Sequence, residues 1–476
     1  MAKNQLWMWS ATDLAGGIRG GDISAVEVTR AHLERIEAVN DRINAVVTLV
    51  PDQALEQAQE VDKARAKGRP LGPLAGIPIA HKDLTPTKGI RTTYGSPRFK
   101  DFVPNQDAVI IQRIKQAGAV SLGKTNTPEW GAGSQTFNSI FGVTRNPFDL
   151  TKTCGGSSGG AAAALAARMI PLADGTDLGG SLRNPASFCN VVGFRTTPGL
   201  VPIVPSDNPH DPLPIAGPMA RNIDDCALLL GVMSGVHPKA PQSDRPSVDF
   251  SLPLNPLNRP VTVGFNPEIG GQLPIDDGVV SSLRSNRQHL IDAGCQLTDA
   301  CPDLTGGGEA FHVLRAAAFA KRHSEGVASY PDAYKSTILW NVEAGLKLTE
   351  QDIHRAEATK RSLLARFLSF FQKHDFLILP VVQVLPFDHR LEYPTRIGDH
   401  AMNNYIDWMQ SCSIISLTGL PALSLPFSFS PTGLPVGIQI IGQPGADLGV
   451  LQLAKHIESQ HPVWREVPRL EQGSQP

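Results

Sequence analysis

Two serines stand in unusual company in this sequence. One lies in Cys154-Gly155-Gly156-Ser157-Ser158-Gly159-Gly160, the other in Asp177-Leu178-Gly179-Gly180-Ser181, which runs on to Arg183-Asn184-Pro185-Ala186. Glycine opens backbone conformations closed to other residues and lets a ligand approach the amides. Successive N–H groups over Leu178, Gly179, Gly180 and Ser181 can converge on one concavity, a setting that suits a developing oxyanion. A serine hydroxyl beside such a nest is a candidate nucleophile, but at its free pKa it is weak and needs a base. No histidine lies near either serine in the sequence. Lys82 ends a short apolar run, Gly76-Ile77-Pro78-Ile79-Ala80, and is followed by Asp83. A lysine can act as a base where burial lowers its pKa enough to leave it neutral.

Plainer uses exist for each of these residues. Ser157 can serve a tight turn at a helix start, and Ser181 can cap the segment before Pro185. Lys82 can be a solvated lysine at a strand end. Cys154 has no evident base and reads as a small buried filler rather than a thiol nucleophile. The glycine loop lacks the Gly-Lys-Ser/Thr ending of a phosphate loop, and the thirteen histidines show no metal-ligand spacing. Gly155-Gly156-Ser157-Ser158-Gly159 formally fits the nucleophile elbow of a Ser-His-Asp esterase, with His400 or His456 downstream. That reading leaves the Asp177–Ala186 block without a role.

The elements that must hold these residues alternate between helix and strand. Ser24 and Glu27 form a capping-box pattern ahead of a helix, and Asn44 to Val50 reads as a strand. Gln53 to Gly68, Asp107 to Gly118, Ser158 to Arg168, Asp276 to Ala293, Asp352 to Gln372 and Ala446 to Gln460 read as helices. Short buried strands are expected at Ala119–Leu122, Ile170–Ala173, Phe376–Leu379 and Val436–Ile441. This alternation predicts an α/β class with helices on both faces of one sheet. A single domain over 1–476 is expected, with the Pro-rich stretch Lys239 to Pro260 as a surface linker or lobe boundary.

Bulk composition narrows the class further. The 476 residues are 41% hydrophobic and 18% charged, as in a folded globular protein, and the formal net charge is −2. That balance gives no electrostatic reason to expect nucleic acid or an anionic membrane. The six irregularly spaced cysteines read as free thiols of a reducing compartment. No apolar run approaches the ~20 residues that span a bilayer. The expected location is cytoplasmic.

The motifs, taken together, resemble the amidase signature family. The matching segments are Gly76–Asp83, Gly123-Lys124-Thr125-Asn126-Thr127-Pro128-Glu129, Gly155–Gly160, Asp177–Ala186, Gly193–Gly199 and Gly433–Gly442. Their order and separations cover nearly the whole chain. The resemblance implies a large mixed, mostly parallel central sheet. It implies Ser181 as nucleophile, Lys82 as general base, and Ser157, on a cis peptide, relaying the proton. The amides of Leu178, Gly179, Gly180 and Ser181 would form the oxyanion hole, with Asp177 and Arg183 supporting the loop. A buried structural pair is the plainer use of those last two. Gly133, Ser134, Gln135 and Phe137 are expected to line the substrate pocket. The implied reaction is hydrolysis of small or medium amides through an acyl-enzyme, with carbamates (urethanase activity) and esters within reach. No cofactor or metal is implied. The expected partner is a small-molecule substrate, with no nucleic acid and no membrane, and the chain a monomer or homodimer. Thr127-Pro128-Glu129-Trp130 looks more like the free-standing amidases than the family's alternative, the amidase component of a tRNA-dependent amidotransferase complex. The motif-free stretches 206–280 and 301–349 are where substrate choice is expected to reside.

Overall fold

Eleven strands form one sheet in the computed structural model, which describes residues 3–244, 248–255, 257 and 259–470. In chain order they are β1 (Val46–Leu49), β2 (Pro78–Lys82), β3 (Val120–Thr125), β4 (Leu172–Asp177), β5 (Val192–Arg195) and β6 (Ile215–Ala220). They continue as β7 (Val261–Phe265), β8 (Cys295–Thr298), β9 (Phe376–Pro380), β10 (Ala422–Phe429) and β11 (Pro435–Ile441). Their order across the sheet is β1-β3-β2-β4-β6-β5-β10-β11-β9-β7-β8.

The sheet is mixed and helix-covered, as expected, but parallel pairs do not predominate. Four neighbouring pairs are parallel: β2/β3, β2/β4, β7/β9 and β7/β8. The other six, including all of the centre from β4 to β9, are antiparallel. One of these six has a local reason: β10 and β11 are joined by a short turn through Gly433, which sits at φ +79°, and so short a link allows only an antiparallel hairpin. Apolar runs in a sequence report burial on both faces and carry no information on strand direction.

Strand β9 shows how the two faces divide. Phe376 and Ile378 join one hydrophobic cluster, and Leu377 and Leu379 join the other, as the two-residue period of a strand requires. The first cluster takes residues from the helices Ala25–Ile43, α1 (Gly159–Ala166), Ile223–Met233 and Asp447–Gln460. The second takes them from α3 (Gly307–Ser329), α5 (Glu350–Phe370) and α6 (Gln410–Thr418). The short α2 (Arg183–Phe188) and α4 (Ser336–Leu346) complete the helices that surround the site.

One expectation is revised here. Asp276–Ala293 is two helices, Asp277–Ser285 and Arg287–Asp292, separated at Asn286. The stretch 301–349, which carries no motif, holds the long helix α3 and α4. In the Pro-rich segment, residues 245–247, 256 and 258 lie outside the described residues; Phe250 is buried, and Leu252, Leu254 and Leu257 pack on the first cluster. Among the described residues no helix is long and apolar enough to cross a membrane. All six cysteines are free.

Candidate active site

Lys82 closes β2 with its side chain wholly buried. Its Nζ has three hydroxyl partners: Ser157 Oγ and Ser158 Oγ, both at 2.8 Å, and Thr176 Oγ1 at 2.9 Å. Burial lowers its pKa to about 7 against the opposing pull of the Asp177 and Asp174 carboxylates. A lysine so placed is partly neutral near pH 7 and can accept a proton from a hydroxyl.

Ser157 follows a cis Gly156–Ser157 peptide bond. Thr136 Oγ1 donates to Gly155 O at 2.7 Å, and Gly155 N–H donates to Thr153 Oγ1 at 2.9 Å, fixing the loop from both sides. Gly131 closes over the serine: a Cβ there would stand 3.3 Å from Ser157 Oγ. Ser181 lies just beyond β4, and its carbonyl accepts the Ser158 N–H at 3.1 Å, so the two glycine-serine loops are tied by their backbones. Lys82 and Ser157 are buried while Ser181 is partly exposed, which orders the three from interior to surface. Neither serine caps a helix. The N-cap of α1 is Ser158 and that of α2 is Leu182, and neither makes a side-chain cap.

The loop carrying Ser181 is held by a buried charge cluster. Asp177 accepts from Arg183 Nε and Nη2, each at 3.0 Å, and from the N–H groups of Gly180 (2.8 Å) and Leu182 (3.1 Å). Arg195 Nη1 donates to the Asp177 carbonyl at 2.7 Å. Arg183 continues to Ser416 Oγ at 2.7 Å and to Gln439 Oε1. The flanking guanidinium groups hold the Asp177 carboxyl well below the usual carboxylate range although burial opposes them. This arrangement corrects one expectation. Gly180 directs its N–H to Asp177, so of the four amides expected to face an oxyanion, those of Leu178, Gly179 and Ser181 are left without a hydrogen-bond acceptor among the described residues.

The four expected pocket residues divide. Gly133 and Phe137 face Lys335: its Nζ lies 5.0 Å from the Phe137 ring centroid and 3.6 Å from where a Gly133 Cβ would be. Lys335 Nζ pairs with Glu392 Oε1 at 3.2 Å, and burial lowers its pKa. Ser134 Oγ lies 3.0 Å from Met409 Sδ and accepts from Asn184 Nδ2 at 2.9 Å. Gln135 is not a pocket residue. Its amide nitrogen is used on the carbonyls of His389 (2.8 Å) and Leu391 (3.3 Å), and its oxygen accepts from Thr153. It is a strut, because a buried amide must find partners and these are the ones in reach.

Phe311 and Met409 carry no signal in the sequence, yet they face the site. A Cβ at Gly179 would be 2.5 Å from Phe311 Cζ and 3.4 Å from Met409 Cε, so these two form an apolar wall against the loop that carries Ser181. Both come from stretches with no motif, and nothing in their neighbours marks them. Ser158 and Thr176 also escape the sequence reading, though both lie inside or beside the matching blocks, where a search for further hydroxyls finds them.

The rival chemistries lose their geometry. Ser157 is bonded to Lys82, while His400 and His456 are exposed. Burial pushes the Cys154 thiol up to about 12, far from a thiolate.

Comparison with known proteins adds an independent line. The family model described as Amidase matches residues 27–451. The chain is 36% identical, over 98% of its length and 99% of the relative, to a glutamyl-tRNA(Gln) amidotransferase subunit of Moorella thermoacetica. It is 35% identical to the same subunit of Natranaerobius thermophilus, over 95% and 96% of the two chains. Among solved structures it superposes on a bacterial aryl acylamidase of the amidase signature enzymes with a TM-score of 0.90 at 26% identity, covering 98% and 99%. On 6-aminohexanoate cyclic dimer hydrolase the TM-score is 0.86 at 28% identity, also covering 98% and 99%. The amidotransferase relatives overturn the expected partner set. A small molecule alone, with no nucleic acid, conflicts with a group of relatives named for work on tRNA(Gln).

Proposed function

The chain belongs to the amidase signature family of C–N hydrolases, and from that premise we propose that it releases ammonia from the side-chain amide of glutamine as the amidase component of a tRNA-dependent amidotransferase. The observation that carries the chemistry is the 2.8 Å contact between Lys82 Nζ and Ser157 Oγ in a wholly buried setting. Neutral Lys82 takes the Ser157 hydroxyl proton as Ser157 takes that of Ser181. Ser181 Oγ attacks the amide carbonyl carbon, and the carbonyl π electrons pass to oxygen, which the amides of Leu178, Gly179 and Ser181 receive. The proton returns by the same path to the leaving nitrogen as the C–N bond breaks, giving ammonia and an acyl ester on Ser181. Water then adds to the ester, with its proton drawn toward Lys82, and frees the acid and the serine.

Two observations support glutamine and the complex. The amidotransferase relatives match the chain end to end. The Lys335–Glu392 pair beside Gly133 also offers one charge of each sign, which suits the α-carboxylate and α-ammonium of an amino acid. A cytoplasmic setting, with the translation apparatus, goes with this reading. The test is ammonia release from glutamine by the purified chain, with and without its co-purifying proteins and charged tRNA. Release that rises at least tenfold with them supports the proposal, and equal release with and without them removes it.

A second reading is favoured by the Phe311–Met409 wall and by the aryl acylamidase likeness: hydrolysis of apolar aryl or alkyl amides, carbamates or esters by the same machinery. Turnover of an aryl anilide by the single chain, with glutamine inert, would establish it in place of the first.

A further inference from the structure

Beneath Lys82, three polar side chains stand at zero exposure inside the sheet. His81 Nδ1 lies 2.7 Å from Asp174 Oδ1, and His81 Nε2 lies 3.0 Å from Ser121 Oγ. They come from three adjacent strands, β2, β3 and β4, whose Ile79, Val120, Leu122 and Leu172 belong to the first hydrophobic cluster. Burying a carboxylate and an imidazole in such a place is costly unless every group is paired. Here the pairing is complete: Asp174 Oδ2 also accepts from Thr85 Oγ1 at 3.0 Å and, at 3.4 Å, from the Lys82 N–H. Apolar side chains would fill the same space without that cost, so the cluster calls for a use.

Its geometry indicates one. Asp174 grips the chain on both sides of Lys82, at that residue's own amide and at Thr85, while Thr85 N–H closes a turn on the Lys82 carbonyl at 2.9 Å. The strand end from which Nζ reaches Ser157, Ser158 and Thr176 is thereby fixed. Both imidazole nitrogens are bound, so the ring orients Asp174 and keeps a donor on it. We propose that His81 and Asp174 are positioning residues for Lys82, supplying a fixed anion that aims its amine at Ser157 and sets the pH at which it takes a proton. The inference rests on the reading of Lys82 as the base.

The supporting electrostatics agree in sign. The imidazole and the Lys124 ammonium hold the Asp174 carboxyl below its ordinary value although burial opposes them. Burial lowers the pKa of His81 although its hydrogen bond to the Asp174 carboxylate opposes the shift. Of the other charged groups nearby, Lys124 on β3 and Lys115 act on His81, Asp83 after β2 and Asp107, the partner of Lys115, act on Lys124, and Asp177 at the end of β4 acts on Lys82. The helix α1, packed over these strands, brings only glycine, alanine and leucine.

The test is the pH profile of kcat/KM for wild type, Asp174→Asn, His81→Phe and His81→Gln, with Lys82→Ala alongside. Removing the anion makes the Lys82 ammonium less favourable. Asp174→Asn should therefore move the acid limb down by about one pH unit. His81→Phe takes away the donor that holds the Asp174 carboxyl down, so the carboxyl keeps its proton to higher pH and the limb should move the same way by a smaller amount. His81→Gln, which can still donate to Asp174, should leave it in place. An unmoved limb in Asp174→Asn, even with a lowered rate, overturns the inference and leaves the cluster a structural feature. Should Asp174→Asn not fold, His81→Phe decides on the same criterion. A wild-type profile with no acid limb at all overturns the parent reading of Lys82 instead, so the two failures are distinct.

Discussion

Gly180 donates its backbone N–H to Asp177 Oδ1 across 2.8 Å, so one amide of the serine loop is given over to holding the other three in place. Asp177 is thus a structural anion at the root of the loop that carries Ser181, with two guanidinium groups dependent on its charge. Asp177→Asn keeps the shape but loses an acceptor and leaves Arg183 and Arg195 short of a counter-charge. We expect kcat to fall by roughly 10²–10³-fold with a small change in KM, the size typical of a damaged oxyanion site. Steady-state kinetics check this, and a kcat within a few-fold of wild type would show that the loop holds its geometry unaided.

Lys82 should write its pKa into the rate. With a value of about 7, kcat/KM rises with pH through that region as the amine becomes neutral. Lys82→Ala should lower amide turnover by about 10²–10⁴-fold and remove that limb. A variant that is slower but keeps the limb would assign the titration to another group.

The same burial has a stability consequence. The folded pKa of about 7 lies below the ordinary lysine value of 10.5. Between these values the unfolded chain holds the extra proton, so this residue makes stability rise as pH increases from about 7 toward 10.5, with the full penalty present below 7. Lys82→Met should be more stable than wild type near pH 6–7, by about 1–4 kcal/mol, with the gain shrinking toward pH 10. Urea unfolding at pH 6.5 and 9.5 checks the sign, and a gain independent of pH would contradict the neutral-lysine account.

Lys335 separates the two substrate readings. If its ammonium meets the carboxylate of an amino acid, Lys335→Met should raise KM for glutamine about tenfold or more, a loss of ~1.4 kcal/mol of binding. An uncharged anilide should be handled as before. Equal effects on both substrates would make Lys335 a structural partner of Glu392 alone.

Gly179→Ala tests the apolar wall. The added methyl would lie 2.5 Å from Phe311 Cζ, closer than atoms pack, so kcat should drop at least tenfold as the loop shifts. Adding Phe311→Ala should recover part of it. No recovery would place the conflict in the backbone instead.

How far the sequence discloses this molecule depends on how local each feature is. The capping box at Ser24 and Glu27 and the strands Phe376–Pro380 and Pro435–Ile441 are legible, because they arise from neighbours in the chain, whereas Val192–Arg195, Ile215–Ala220, Val261–Phe265, Cys295–Thr298 and Ala422–Phe429 are not among the strands expected. The break at Asn286 is not, since an apolar period runs on through it. Gln135 is misread because its partners, the carbonyls of His389 and Leu391, lie 254 and 256 residues away. Phe311, Met409 and Lys335 are invisible for the same reason: contacts across the sheet's helical cover leave no spacing signature. His81 stands in plain view beside Lys82, but only Asp174 and Ser121 on neighbouring strands give it meaning.

Helix α1 has a practical consequence for anyone wishing to redirect this catalyst. Every residue from Gly159 to Ala166 is buried, and even a methyl on Gly160 would come 2.3 Å from the Asn126 nitrogen. That side of the site has no mutational freedom, and libraries placed there would return mostly unfolded protein. Across the pocket, Phe311 on α3, Lys335 beside α4 and Met409 beside α6 are side chains of ample size on elements free of recognised motifs. Under the proposed reading, those three positions are where a change in the accepted acyl group is expected, and at Phe311 and Met409 it would come with a shift of the loop that packs on them.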